Sequence, residues 1–186
     1  KLDPTASPWK LLEPTSVKAA SKTAFTRLED ASWLAVGAAA GQETYTITAP
    51  VTVGTLGGVL LESLPDASLP AQSVGRAPNG NFILSGIEAE ISAPSLAKPE
   101  VLKFAKAEAS YSQKGYEVAQ VVDAKGGKGL AVDGPTRKEP LKAMFLADRV
   151  MTVPAGATLT VRLVQKSSGQ HSIGRFRLSA TALAPG

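Results

Sequence analysis

The chain has 186 residues, 44% of them hydrophobic and 5% aromatic, with a formal net charge of +4 and no cysteine. That length favours one domain with its own core, and the missing cysteines exclude disulfides, thiolate metal sites and covalent haem attachment within these residues. No apolar run reaches the roughly 18 residues that cross a bilayer as a helix, and Lys and Arg are scattered rather than gathered into the basic stripe of a nucleic-acid binder.

Lys1–Thr15 holds Pro4, Pro8 and Pro14 and is expected to be an extended N-terminal arm, with residues 16–183 forming the folded unit. Val17, Ala20, Ala24 and Leu28 have helical spacing, but Thr23, Phe25 and Thr26 favour extended chain, and strand is the expectation. Glu43–Thr48 alternates Tyr45 and Ile47 with threonines, the period of a half-buried strand.

The run Leu60–Ser92 then reads as strand, long loop, strand. Val59 and Leu61 share a face on entry, and Phe82 and Leu84 share one on exit. Pro65, Pro70, Gly75, Pro78, Asn79 and Gly80 lie between them and exclude a helix. So long a loop is a binding surface or a structured Ω-type loop. Buried parity changes from Phe82 and Leu84 to Ile87, Ala89 and Ile91, so a bulge or kink is expected at Ser85–Gly86.

Four later segments complete the pattern. Ala105–Tyr111 alternates small apolar residues with Lys106, Glu108 and Ser110, and Ala143–Leu146 is a short apolar run suited to a central strand. Thr158–Val164 places Leu159, Val161 and Leu163 on one face. Arg175–Thr181 turns Phe176, Leu178 and Ala180 inward and Arg175, Arg177, Ser179 and Thr181 outward. The chain is therefore expected to be all-β, an antiparallel β-sandwich of about eight to ten strands.

Candidate site residues come from the loops. Gly75-Arg76 and Asn79-Gly80-Asn81 suit tight turns. Arg76 either pins the loop, through a two-pronged bond to Glu62 or Asp66 or through backbone carbonyls, or, with Asn79 and Asn81, donates to a sugar's hydroxyls or carboxylates. Tyr111 and Tyr116 flank Ser112–Gly115 and are the aromatics best placed to touch a ligand. Lys125, Lys128 and Arg137 sit among flexible glycines, and Arg175 and Arg177 add outward cations. Asp66, Asn79 and Asn81 with backbone carbonyls offer oxygens for a structural calcium ion, although no calcium-loop series is present. His171 is the sole histidine, so a histidine zinc cluster is excluded, and the residue is expected in the Ser167–Ser172 loop, hydrogen-bonded or at a ligand rim. With no nucleophile elbow, no carboxylate pair placed across a cleft and no cofactor fingerprint, no catalytic site is assigned.

Several motifs carry a family likeness: Leu61-Glu62, Leu64-Pro65-Asp66, Gly75-Arg76, Asn79-Gly80-Asn81-Phe82, the stretch Ala107–Gln113, Val122-Asp123, and the closing run His171–Ser179. From about Ser32 to Thr181 the chain resembles the galactose-binding-like β-sandwich domains inside large secreted planctomycete-type cytochrome c proteins. Two positions depart from that pattern: Leu130 follows Gly129 where the family often has Trp, and Glu139 stands near Arg137 where a His is common. The resemblance implies a galactose-binding-like jelly roll, export to the periplasm, cell surface or medium, and neighbouring domains in a parent protein. It implies binding of a polysaccharide, and the +4 charge adds an expected taste for uronic or sulfated chains. The alternative is a structural or protein-interaction module without a sugar ligand, which the scarcity of aromatics favours.

Overall fold

The structure, a computed structural model, describes residues 9–182. Twelve strands form two antiparallel sheets, and no α-helix occurs among the described residues. The strands are β1 (Trp9–Leu11), β2 (Ser16–Ala19), β3 (Ala24–Arg27), β4 (Trp33–Val36), β5 (Glu43–Pro50), β6 (Thr55–Ser63), β7 (Gly86–Ser92), β8 (Glu100–Val101), β9 (Phe104–Ala109), β10 (Leu141–Thr152), β11 (Thr158–Gln165) and β12 (Arg175–Thr181). The larger sheet runs β3-β4-β12-β6-β10-β9, with β1 sharing the β12 edge that β4 leaves free; the smaller runs β2-β5-β11-β7-β8. The count exceeds the expected eight to ten because β1, β4 and β8 are pieces of two to four residues, too short to carry an alternation of their own.

Register explains why the alternating residues meet. On the smaller sheet Leu163 lies opposite Tyr45 and Ile87, Val161 opposite Ile47 and Ala89, and Leu159 opposite Ala49 and Ile91. On the larger, Leu61 sits between Ala143 and Leu178, and Val59 between Phe145 and Ala180. These side chains join one core between the sheets. Phe25, Tyr45 and Phe176 pack as an aromatic trio with centroids 4.8–6.0 Å apart. Tyr45 and Phe176 are fully buried and Phe25 partly so, and full burial of a large apolar side chain contributes about 1.5–3 kcal/mol relative to exposure. Phe82, Leu84, Leu159, Val161, Leu163, Phe176 and Leu178 are all buried, and the Val17–Leu28 region is extended, as β2 and β3.

The parity change at Ser85–Gly86 is met by a change of partner. Leu84 exchanges both backbone hydrogen bonds with Leu130, then the Ser85 N–H turns to the Val164 carbonyl and pairing with β11 begins at Gly86. The register shifts lie instead in β10, after Leu146. Of the expected arm, residues 1–8 lie outside the described residues, while Trp9–Leu11 pairs with β12 and the Thr15 N–H bonds the Thr48 carbonyl.

Candidate functional site

The outer face of the smaller sheet forms the floor of an open cleft of about 1000 Å³. Thr44, Val164 and Gly86 lie side by side across β5, β11 and β7, and Glu88 follows Gly86 on the same face. Gly86 has no side chain to fill the floor. Lys166 and Ser167, just beyond β11, bound one side. The opposite wall is Tyr116 with the Asp123–Lys128 loop.

That wall is held by local chemistry. A single 3-10 turn, Val118–Val121, buries Val118 and Val121 in the core. From it Gln120 accepts the N–H groups of Lys128 and Gly129 at 2.8 and 3.2 Å and donates to the Gly115 carbonyl at 3.1 Å. Asp123 Oδ1 accepts the Lys125 N–H at 2.9 Å, which closes the turn. Gly129, at φ +104°, passes so near Leu84 that a Cβ there would lie 2.1 Å from the Leu84 carbonyl oxygen. Tyr116 leans into the cleft with the Lys128 ammonium 5.2 Å from its ring centroid. A cation–π contact this exposed is worth about 0.5–1 kcal/mol.

Among the residues singled out from sequence, Tyr116 and Lys128 meet here, with Lys125 exposed on the same loop. Glu88, Asp123 and Lys166 complete the polar lining and were not anticipated. Glu88 carried a partial signal, since alternation puts it on the outer face of β7, but nothing in the sequence shows which loop leans over that face.

The other candidates lie elsewhere. Tyr111 donates its hydroxyl to Asp133, a bond that raises its pKa, and carries the Arg137 guanidinium 4.6 Å above its ring. Arg137 also pairs with Glu139 at 3.5 Å. Asn79 accepts the Asn81 N–H at 3.0 Å. Asn81 is buried: it donates to Gln113 and accepts the N–H groups of Phe82 and Val132, so it staples the long loop to the chain beyond. The His171 ring sits 2.8 Å from the Ser168 carbonyl oxygen, within its own loop.

Of the partners expected for Arg76, the carboxylates are corrected and a backbone carbonyl is found. Arg76 bonds neither Glu62 nor Asp66 but donates to Thr23 Oγ1 at 2.9 Å and to the Gly37 carbonyl. Glu62 is taken by Arg177, and Asp66 lies 3.7 Å from Arg175. Arg175 and Arg177 do project outward from β12, yet the turn at Asp30–Ser32 folds over them: Arg175 donates to Asp30, Ser32 and the Pro65 carbonyl, and Arg177 to Glu62 and the Asp30 carbonyl. Lys125, Lys128, Arg137, Arg175 and Arg177 therefore do not form one basic patch. The oxygens considered for calcium serve local backbone. Asp66 takes the N–H and hydroxyl of Ser68, and no group of three His, Asp or Glu that could hold a metal occurs among the described residues.

No family model matches the sequence, and no curated protein matches it. A solved structure titled for the promiscuous specificity of carbohydrate-binding modules of the β-sandwich superfamily aligns with 91% of this chain and 54% of its own, at 10% identity and a TM-score of 0.22. The chain thus spans about half the length of that structure. The fold defines an antiparallel β-sandwich.

Proposed function

We propose that this sandwich is a non-catalytic module that holds a hydroxyl-rich polysaccharide along the cleft on its smaller sheet. One observation carries this reading: an open cleft in which the carboxylates of Glu88 and Asp123, the ammonium groups of Lys128 and Lys166, the hydroxyls of Thr44, Ser85 and Ser167 and the ring of Tyr116 stand together. Sugar hydroxyls need donors and acceptors at close spacing, and a ring edge gives their C–H surface something to touch. The lining carries two cations and two carboxylates, so the complement of the cleft is a neutral chain rather than the acidic one suggested by net charge. No calcium ion is invoked, because the oxygens of Asp66, Asn79 and Asn81 already accept protein N–H and hydroxyl groups. The likeness to domains of secreted multidomain proteins supports placing the module in an exported parent beside other domains.

One observation favours the structural or interaction-module reading. Both candidate tyrosines carry a cation against the ring, Lys128 on Tyr116 and Arg137 on Tyr111, so a sugar stacking there must first displace a side chain. Electrophoresis of the protein through gels containing neutral glucans, xylan, mannan or pectin, with and without chelator, separates the two. Retention on a neutral polysaccharide that is lost in Tyr116→Ala and Glu88→Gln supports the cleft. Free migration through every gel supports the interaction module.

A further inference from the structure

We propose that a second cavity, bounded by β4 and the Ser68–Pro70 turn, is a carboxylate-binding pocket with Arg76 as its charged floor. It shares no lining residue with the cleft and stands independently of it. The cavity is about 370 Å³, walled by Val36, Gly37, Ala39, Leu69 and Pro70, with Arg76 at its base.

Arg76 is 8% exposed, yet neither of its hydrogen bonds goes to a charge: Nη1 donates to a hydroxyl and Nη2 to a backbone carbonyl. No ion pair to Arg76 occurs among the described residues. The nearest carboxylate along its chain of bonds is Glu43, 4% exposed, which is bonded to Ser21; Ser21 in turn touches Thr23, the hydroxyl that Arg76 reaches. A guanidinium offers five donors in a rigid fork that fits a carboxylate two-pronged. Thr23 and Gly37 take two of those donors, the Tyr45 hydroxyl adjoins the group too, and the pocket is where a further acceptor reaches the fork. A buried charge without a paired countercharge is costly, so an entering anion relieves that cost.

The walls fit the same ligand. No acidic side chain lines the pocket, so nothing at its surface repels an anion. Asp66, nearby in sequence, turns its oxygens to Ser68 and Arg175 instead. Val36, Leu69 and Pro70 give an apolar flank, which suits a carboxylate carried on a compact ring or chain better than a bare hydrated ion. A uronic acid unit and a free organic acid present this same group.

Titration of the isotope-labelled chain with acetate, glucuronate and glucose at constant ionic strength, followed by NMR, tests the pocket. Saturable shifts at Arg76 Nε–H and the Gly37 and Ser68 amides with both carboxylates, and none with glucose, are expected. Tighter binding of glucuronate than acetate assigns the source as a sugar acid; equal binding assigns a free carboxylate. Arg76→Gln should weaken binding at least about tenfold. If that variant does not fold, Ala39→Trp fills the mouth while leaving the Arg76 bonds intact and should give the same loss. Absence of saturable shifts with both carboxylates, or binding that survives both variants, overturns the proposal. Retention of Tyr116→Ala on polysaccharide gels reads the cleft alone, so either site can fail without the other.

Discussion

Arg177 grips Glu62 across the larger sheet, Nε to Oε2 at 2.8 Å and Nη2 to Oε1 at 2.9 Å, and the two residues are direct cross-strand neighbours of β12 and β6. The Glu62 side chain is 3% exposed and that of Arg177 22%. The bond raises the Arg177 pKa further above its already high ordinary value. Such a pair fixes register on the outer face of the central strands more than it adds net stability, but breaking it strands a buried charge.

Arg177→Ala should therefore destabilise the fold by about 3 kcal/mol, the low end of the range for a broken buried pair because Arg177 is partly solvated. Glu62→Gln with Arg177→Met should recover much of that loss. Urea denaturation of the single and double variants measures both.

Acid should weaken the neighbouring turn. Burial pushes Asp30 up, but the two Ser32 bonds and Arg175 outweigh it and hold the carboxyl below 3.8. The Ser68 hydroxyl and N–H lower Asp66, against burial, with Arg175 adding to the effect. Both groups bind protons less readily folded than unfolded, so their contribution is fully present above the unfolded value of about 4 and is lost as pH falls through the folded values. Denaturant midpoints should stay level from neutral pH down to about 5 and then fall. Asp30→Asn should make that fall shallower.

Alkali should weaken the core for the opposite reason. Burial lifts the Tyr45 hydroxyl to about 12, while its O–H donates to the Ile173 carbonyl at 2.7 Å. The folded state holds that proton longer than the unfolded one, so the stability is present below pH 10 and is lost as pH rises towards about 12. Tyr45→Phe should cost about 1–2 kcal/mol at neutral pH through the unpaired carbonyl, yet flatten the alkaline decline. A pH series of melting curves on both proteins shows the crossing slopes.

Gly75→Ala should be among the most damaging single changes in the long loop. A Cβ at Gly75 would lie 1.9 Å from the Asn81 carbonyl oxygen, which is backbone and cannot swing away. A loss of about 3 kcal/mol or more, or failure to fold, is expected. A variant as stable as the parent would mean that the loop is not packed as described.

The strands were legible because a period of two survives in Thr158–Gln165 and in Arg175–Leu178, where the inward residues have buried cross-strand partners; the outward places expected for Ser179 and Thr181 are corrected, since both residues are buried along with Leu178 and Ala180. The absence of an α-helix from the long loop was legible from its breakers. Partner choice was not. Thr23 and Gly37 are 53 and 39 residues from Arg76, and neither belongs to a motif. Parity placed Arg175 and Arg177 on the outer face, but facing outward differs from being free, because the turn through Asp30 and Ser32 covers that face and alternation says nothing about coverage. The cleft was half legible for the same reason: Tyr116 and Lys128 announce themselves in a polar loop, while Glu88 and Lys166 become site residues only when that loop leans over β7 and β11.

The central claim, that the cleft on the smaller sheet holds a sugar chain, is tested most directly by NMR mapping on the isotope-labelled protein with an oligosaccharide of whichever neutral polysaccharide retains it. Shifts confined to Ser85–Glu88, Tyr116, Gly126–Lys128 and Val164–Ser167, absent in Tyr116→Ala, are the predicted result. Shifts centred on any other face, or no shift at saturating oligosaccharide, would contradict it.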